Sequence, residues 1–349
     1  MKKIILICGL AFIVCWLSLA GCKKETIDPA TYVPISFAIP QGWPQPVYRF
    51  TNNPLTSGGF VLGRKLFYDV RLSRNNTISC GSCHQQFAAF AQLDHPVSHG
   101  IEDRLGTRNS PGLANMAWYP TFFWDGGVIN LENQPINPIQ NHVEMDMTLP
   151  DVISRLGADV EYVAGFKKVF GDETINSQRI FRSLAQFMGA MISSDSKYDK
   201  YIRKEEGGTF TVAEQHGLGL FRQKCASCHT EPLMTDFSFR NNGLQPYSVN
   251  DSGRAHITFS ATDLYKFKVP SLRNVDLTRP YMHDGRFTTL DAVLAHYRKG
   301  IAHSATLDPL LTSGINMTDK EQADIISFLK TLSDSTFVRD VRFAEPEKR

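Results

Sequence analysis

Two short segments carry most of the chemistry in this sequence: Cys80-Gly-Ser-Cys83-His84 and Cys225-Ala-Ser-Cys228-His229. Each places two thiols and an imidazole within five residues. Two residues between the cysteines let both sulfurs reach the vinyl groups of one haem from a single turn of chain, and the next histidine is carried beneath the iron. The spacing predicts two covalently attached haem c groups, with Cys80, Cys83, Cys225 and Cys228 as attachment points and His84 and His229 as proximal ligands. Zinc sites and thioredoxin-like redox pairs also use Cys-x-x-Cys. Zinc, however, leaves the adjacent histidine unexplained twice, and a redox pair belongs on a strand-to-helix turn of a βαβ pattern that is not found here.

The other three cysteines sit at the N-terminus. Lys2 and Lys3 are followed by an apolar run from Ile4 to Leu19 and then by Leu19-Ala20-Gly21-Cys22. That run is shorter than a comfortable membrane span, and the small residues before Cys22 suit a signal peptidase. Residues 1–21 are therefore expected to be a lipoprotein signal peptide, with Cys22 acylated and the mature protein anchored by lipid to a membrane in the periplasm. A retained N-terminal anchor helix is the alternative, and it too puts the folded part outside the cytoplasm. Cys8 and Cys15 leave with the signal, so no structural disulfide is expected.

Without residues 1–21 the chain has 328 residues, enough for two domains with developed cores. Losing Lys2 and Lys3 leaves 35 basic and 35 acidic residues, so no nucleic-acid partner is implied. Residues 22–54, rich in Pro, Gln, Thr and Asn, read as a tether. Residues 55–205 and 206–345 read as one haem domain each, because Gly63-Arg-Lys-Leu-Phe67 precedes the first motif much as Gly217-Leu-Gly-Leu-Phe221 precedes the second. Ile180, Leu184, Met188 and Met191 keep a helical period. Thr318-Asp-Lys-Glu321 is a capping box before a final helix that resembles the C-terminal helix of class I cytochromes c. Stretches 85–145 and 230–287 show neither helix nor strand period and read as loops folded over the haem faces. The expected fold is mainly α: two class I cytochrome c-like domains with long loops and little strand.

Residues 63–145 resemble the bacterial dihaem cytochrome c peroxidase family, which includes MauG, through Gly63-Arg-Lys-Leu-Phe-Tyr-Asp69, Gly106-Thr-Arg-Asn-Ser-Pro111, Phe123-Trp-Asp-Gly126, Leu131-Glu-Asn-Gln134 and Glu144-Met145. A second block, Phe267-Lys-Val-Pro-Ser-Leu-Arg-Asn274 and Leu277-Thr-Arg-Pro-Tyr-Met-His-Asp-Gly285, is similar to the family's C-terminal domain. The resemblance covers about residues 55–335. It implies that Glu144 is the peroxide-pocket carboxylate, that Gln134 is its neighbouring amide, and that Trp124 relays electrons between the haems. It further implies that Asn109, Thr278 and Pro280 bind a calcium ion through oxygen atoms at the domain junction, and that His99, with His95 close by, is a removable ligand of the first haem.

One position departs from part of the family. Members that need reductive activation hold the second haem with a methionine, and the matching position here is Tyr297, as in MauG. The segment Thr289–Gly300 reads as a capped helix with Leu290, Val293, Leu294 and Tyr297 on one apolar face. Tyr297 is the expected sixth ligand, with His296, Met282 and His303 as substitutes. The resemblance implies a peroxidase that reduces hydrogen peroxide to water with electrons from a small periplasmic cytochrome c or cupredoxin. The first haem would be the peroxide site and the second the electron input, in a chain that forms a homodimer as many relatives do. Two other readings stand beside it: a MauG-type oxidase that stores two oxidising equivalents and attacks a protein side chain, and a dihaem electron carrier without a substrate.

Overall fold

A computed structural model describes residues 33–93, 95–246 and 250–347. The signal segment and Cys22 lie outside the described residues. The α-helices are α1 (Ser57–Phe67), α2 (Cys80–Cys83), α3 (Ile136–Gln140), α4 (Leu149–Gly157), α5 (Val160–Phe170), α6 (Ser177–Gly189), α7 (Lys197–Arg203), α8 (Val212–Lys224), α9 (Ala255–Thr258), α10 (Leu290–Ala295) and α11 (Asp319–Lys330). Among the described residues the one strand ladder pairs β1 (Phe239–Arg240) antiparallel with β2 (Phe267–Lys268). The fold is mainly helical with little strand, and no helix of the described residues is long and apolar enough to cross a membrane.

Side chains that satisfy orphan backbone N–H groups set the long helices. Thr56 Oγ1 accepts from Gly59 N at the start of α1, and capping boxes pair Thr211 with Glu214 and Thr318 with Glu321 at the starts of α8 and α11. Helix α1 then crosses α6, and α8 crosses α11. Both crossings are closed by a glycine. A Cβ on Gly63 would lie 2.0 Å from Ser183 O, and one on Gly217 would lie 1.9 Å from Asp324 O. Only a residue without a side chain allows backbones that close. The equivalent contacts, with Phe187 and Phe328 stacked one turn further on, make the two halves copies of one packing unit.

Each half has its own apolar core. The first gathers Leu66, Phe67, Phe90, Phe166, Phe187 and Met191, and the second gathers Phe221, Met234, Ile325, Phe328 and Leu332. Phe337 and Phe343 leave the second half and pack into the first core. Tyr68 Oη donates to Phe343 O at 2.7 Å, and Gln86 Nε2 donates to Asp340 O at 2.8 Å. The tail thus straps the halves together.

The described part of the expected tether, residues 33–54, also lies against the body. Trp118 Nε1 donates to Pro44 O at 2.8 Å, Tyr48 N donates to Ala117 O at 2.9 Å, and Phe50 is buried. Phe37, Trp43, Tyr48 and Phe50 explain the difference. Burying several aromatic rings outweighs the ordering cost of a segment that has no helical period.

Candidate functional site

The first motif begins on the single turn α2, where Ser79 and Ser82 form a capping box. His84 N donates to Cys80 O at 2.8 Å, which keeps the histidine on the turn that carries the two cysteines. His84 Nδ1 lies 2.8 Å from Phe90 O, a carbonyl brought there by the left-handed residues Ala89 and Phe90. With Nδ1–H donating to that carbonyl, Nε2 is the unprotonated nitrogen free to bind a metal. Burial lowers the His84 pKa, which favours this neutral form. His229 repeats the device, with Nδ1 3.2 Å from Met234 O and its pKa lowered by burial.

Among the described residues, Cys80, Cys83, Cys225 and Cys228 form no disulfide. Burial pushes Cys80 up to about 12, Cys83 to about 11 and Cys225 to about 12. Thiols that hold their protons this firmly are unlike the low-pKa cysteines of redox pairs. Among the described residues no cluster of three or more His, Cys, Asp or Glu could hold a metal ion by itself. The residues present fit a haem that would be held through thioethers, with the histidine Nε2 available as a ligand for its iron.

The segment around Glu144 closes on the first motif. Its carboxylate is near enough to both thiols to raise the pKa of Cys80 and of Cys83. Asn141 Nδ2 donates to Glu144 Oε1 at 2.9 Å, and Ile101 N donates to Glu144 O at 2.8 Å. A Cβ on Gly100 would fall 2.5 Å from Glu144 Cα, so the 99–101 loop lies directly on the glutamate. Burial raises the Glu144 pKa, and the Asn141 bond opposes this without cancelling it. Gln134, also buried, follows the short turn Leu131–Asn133. The His99 backbone carbonyl meets Cys83 Sγ at 3.5 Å, while its ring stacks on His95 at 4.6 Å and its Nε2 is 3.5 Å from Asp103.

A cleft surrounds the second motif, with about 1640 Å³ of empty space including open solvent. Cys225, Cys228 and His229 line it together with Leu290, Val293, Leu294 and Tyr297, the apolar face expected of the 289–300 segment. The helix itself is shorter than expected. α10 stops at Ala295 and gives way to a π-turn over His296–Gly300. Burial raises the Tyr297 pKa, Asn242 opposes this through a hydrogen bond, and nearby Cys228 and Cys225 add to the rise. Met282 lines the same cleft, His303 is exposed, and His296 Nε2 lies 3.0 Å from Asn242 O.

Trp124, Asn109, Thr278 and Pro280 line this cleft as well. Trp124 belongs to the first half but is held from both sides: its Nε1 donates to Asn109 O at 2.9 Å, and its carbonyl accepts from Lys268 N at 2.7 Å. Asn109 Nδ2 donates to Pro96 O at 3.2 Å, which holds the carboxamide in place. An amide oxygen with threonine and proline backbone oxygens is the hard donor set that calcium takes. Lys268 is buried, with Nζ donating to Thr121 O at 2.7 Å, and burial draws its pKa down to about 7.

Two features escaped the sequence reading. One is Asn242, whose neighbours come from distant segments. The other is the extent of the duplication: Pro111-Gly-Leu-Ala-Asn115 and Pro270-Ser-Leu-Arg-Asn274 both end on a left-handed asparagine that starts a short helical turn. Aligning the two halves on Pro-x-Leu-x-Asn exposes that repeat.

Comparison with known proteins matches residues 57–207 to the di-haem cytochrome c peroxidase family model and residues 215–333 to the cytochrome c model. The chain is 34% identical to the methylamine utilization protein MauG of Methylorubrum extorquens over 93% of this chain and 92% of that one. It is 32% identical to the cytochrome c551 peroxidase of Nitrosomonas europaea over 78% and 79%. A solved MauG-like protein associated with microbial copper homeostasis superposes with a TM-score of 0.81 at 33% identity, covering 90% of this chain and all of the other. With two haem-attachment motifs in two copies of one packing unit, and with this similarity along nearly its whole length, the chain belongs to the dihaem cytochrome c peroxidase family and carries two haem c groups.

Proposed function

We propose that this protein reduces hydrogen peroxide to water at the first haem, using electrons that arrive through the second. The observation that carries the reading is Glu144, a carboxylate on the segment that packs against the 99–101 loop meeting Cys83, with its proton affinity raised by burial. When bound, the haem iron supplies the electrons and the cleavage of the O–O bond. Glu144 takes the proton from the near oxygen of H₂O₂ and returns it to the leaving one, a role that suits a carboxylate whose pKa is raised by burial. The Gln134 amide orients the peroxide. Cys80 and Cys83 hold the first haem with His84 as ligand, and Cys225 and Cys228 hold the second with His229.

Trp124 fits the relay role because it stands on the first half and lines the second cleft. Asn109, Thr278 and Pro280 supply oxygen atoms for calcium beside it. The natural donor is a small periplasmic cytochrome c or cupredoxin, met by a lipid-anchored protein whose acyl group is on Cys22 and which forms a homodimer. Tyr297 at the second cleft favours a second reading, a MauG-type oxidase whose second haem is stabilised in oxidised states by phenolate ligation. His99 is the removable ligand of the first haem in either case.

The test is steady-state peroxide consumption by the holoprotein with a reduced small cytochrome. Turnover with two cytochromes oxidised per peroxide supports the peroxidase. Peroxide-dependent oxidation of a protein side chain with negligible cytochrome turnover supports the oxidase, and neither activity leaves an electron carrier.

A further inference from the structure

Three side chains with the chemistry to bind iron stand at or beside the second cleft: Tyr297, Met282 and His296. Thioether, imidazole and phenolate set very different haem potentials, so something must choose among them. One residue touches all three.

Asn242 accepts a hydrogen bond on its backbone oxygen from His296 Nε2 at 3.0 Å. That bond engages the Nε2 nitrogen, and His296 does not line the cleft. Asn242 Nδ2 donates to Met282 Sδ at 3.5 Å, which occupies one lone pair of the thioether and ties the side chain to the 241–243 segment. The same carboxamide is within hydrogen-bonding reach of the Tyr297 phenol.

The asparagine is fixed in this pose. Its Oδ1 accepts from Leu244 N at 3.4 Å, which turns the NH₂ end toward Met282 and Tyr297. Asn241, buried beside it, donates to Ser304 Oγ and Thr306 Oγ1 at 2.9 Å each, and Gly243 O accepts from Ala302 N at 2.8 Å. A Cβ on Gly243, where φ is +72°, would lie 2.5 Å from Ile301 Cγ2. The 241–243 segment is therefore clamped to the 301–308 loop and cannot swing away without breaking that set.

We propose that Asn242 is the positioning residue that selects Tyr297 as the axial ligand of the second haem by holding His296 and Met282 away from the iron. The inference rests on the reading that Cys225, Cys228 and His229 hold that haem with Tyr297 opposite.

Resonance Raman of the ferric holoprotein tests both, alongside a haem count. The parent protein shows a tyrosinate–iron mode. Asn242→Leu, which has similar size and no donor, loses at least half the intensity of that mode, gains a methionine charge-transfer band and raises the potential of the second haem. Asn242→Asp keeps the acceptor for Leu244 N, removes both amide hydrogens, and serves if the leucine variant binds fewer than two haems; it loses the mode to the same extent. Adding Met282→Leu to either variant abolishes the charge-transfer band. A variant with two haems and an unshifted, full-strength tyrosinate mode overturns the role of Asn242 and leaves the ligation reading intact. A parent protein without the mode ends both.

Discussion

Trp124 Nε1 donates to Asn109 O at 2.9 Å, and Asn109 N in turn donates to His283 O at 2.7 Å, so two backbone-anchored bonds link the indole to the far half of the molecule. The indole is thereby held in the wall of the second cleft by a residue of its own half. Its position depends on the junction between halves and on neither core alone.

Trp124→Phe keeps an aromatic ring but removes the Nε1 donor and the more easily oxidised indole. Losing one neutral hydrogen bond costs about 0.5–1.5 kcal/mol, so the variant folds and retains two haems. Cytochrome-driven peroxide turnover falls at least about tenfold, equivalent to on the order of 1.4 kcal/mol of barrier. Stopped-flow electron delivery to the first haem, beside a thermal melt, checks both statements.

Glu144→Gln lowers peroxide turnover by about 10²–10⁴-fold, the usual contribution of a positioned acid–base group. The ionised form is the one that accepts the proton, so parental activity declines as pH falls through a pKa lying above the ordinary glutamate range. That acid limb is absent from the residual activity of the variant. Stability moves oppositely. A folded pKa raised by burial means that the charged carboxylate destabilises the native state as pH rises through it, so the glutamine variant melts higher at neutral pH and the gap closes in acid. Rate–pH profiles and melts at several pH values measure these effects.

Gly217→Ala drives a methyl group into Asp324 O, where a Cβ would sit at 1.9 Å. The α8–α11 crossing must open, at a cost of about 3 kcal/mol or more. Gly63→Ala does the same to the α1–α6 crossing in the other half. Denaturant unfolding of the two variants should show similar losses, and a neutral result for either would contradict the backbone-to-backbone packing described here.

Replacing Cys225 and Cys228 with serine leaves one haem per chain, and replacing Cys80 and Cys83 gives the complementary single-haem protein. Pyridine haemochrome absorbance per chain halves in each case. The variant that keeps only Cys225 and Cys228 retains the tyrosinate–iron mode assigned to Tyr297.

The local chemistry was readable from the chain alone. Cys-x-x-Cys-His needs neighbours in sequence because one turn must deliver two sulfurs and an imidazole, and Thr318 with Glu321 or Ile180 with Leu184 report helices whose caps and faces lie within a few residues. The apolar face Leu290, Val293, Leu294 and Tyr297 was equally legible, although the π-turn that ends its helix was not. Tertiary structure alone decided the long-range contacts: the aromatic anchoring of residues 33–54, the return of Phe337 and Phe343 to the first core, and the meeting of Asn242 with Met282 and His296. Those contacts span 40 residues or more and follow no short period. They are fixed by which surfaces fit once both cores have formed, and the order of residues along the chain does not encode that fit in any local pattern.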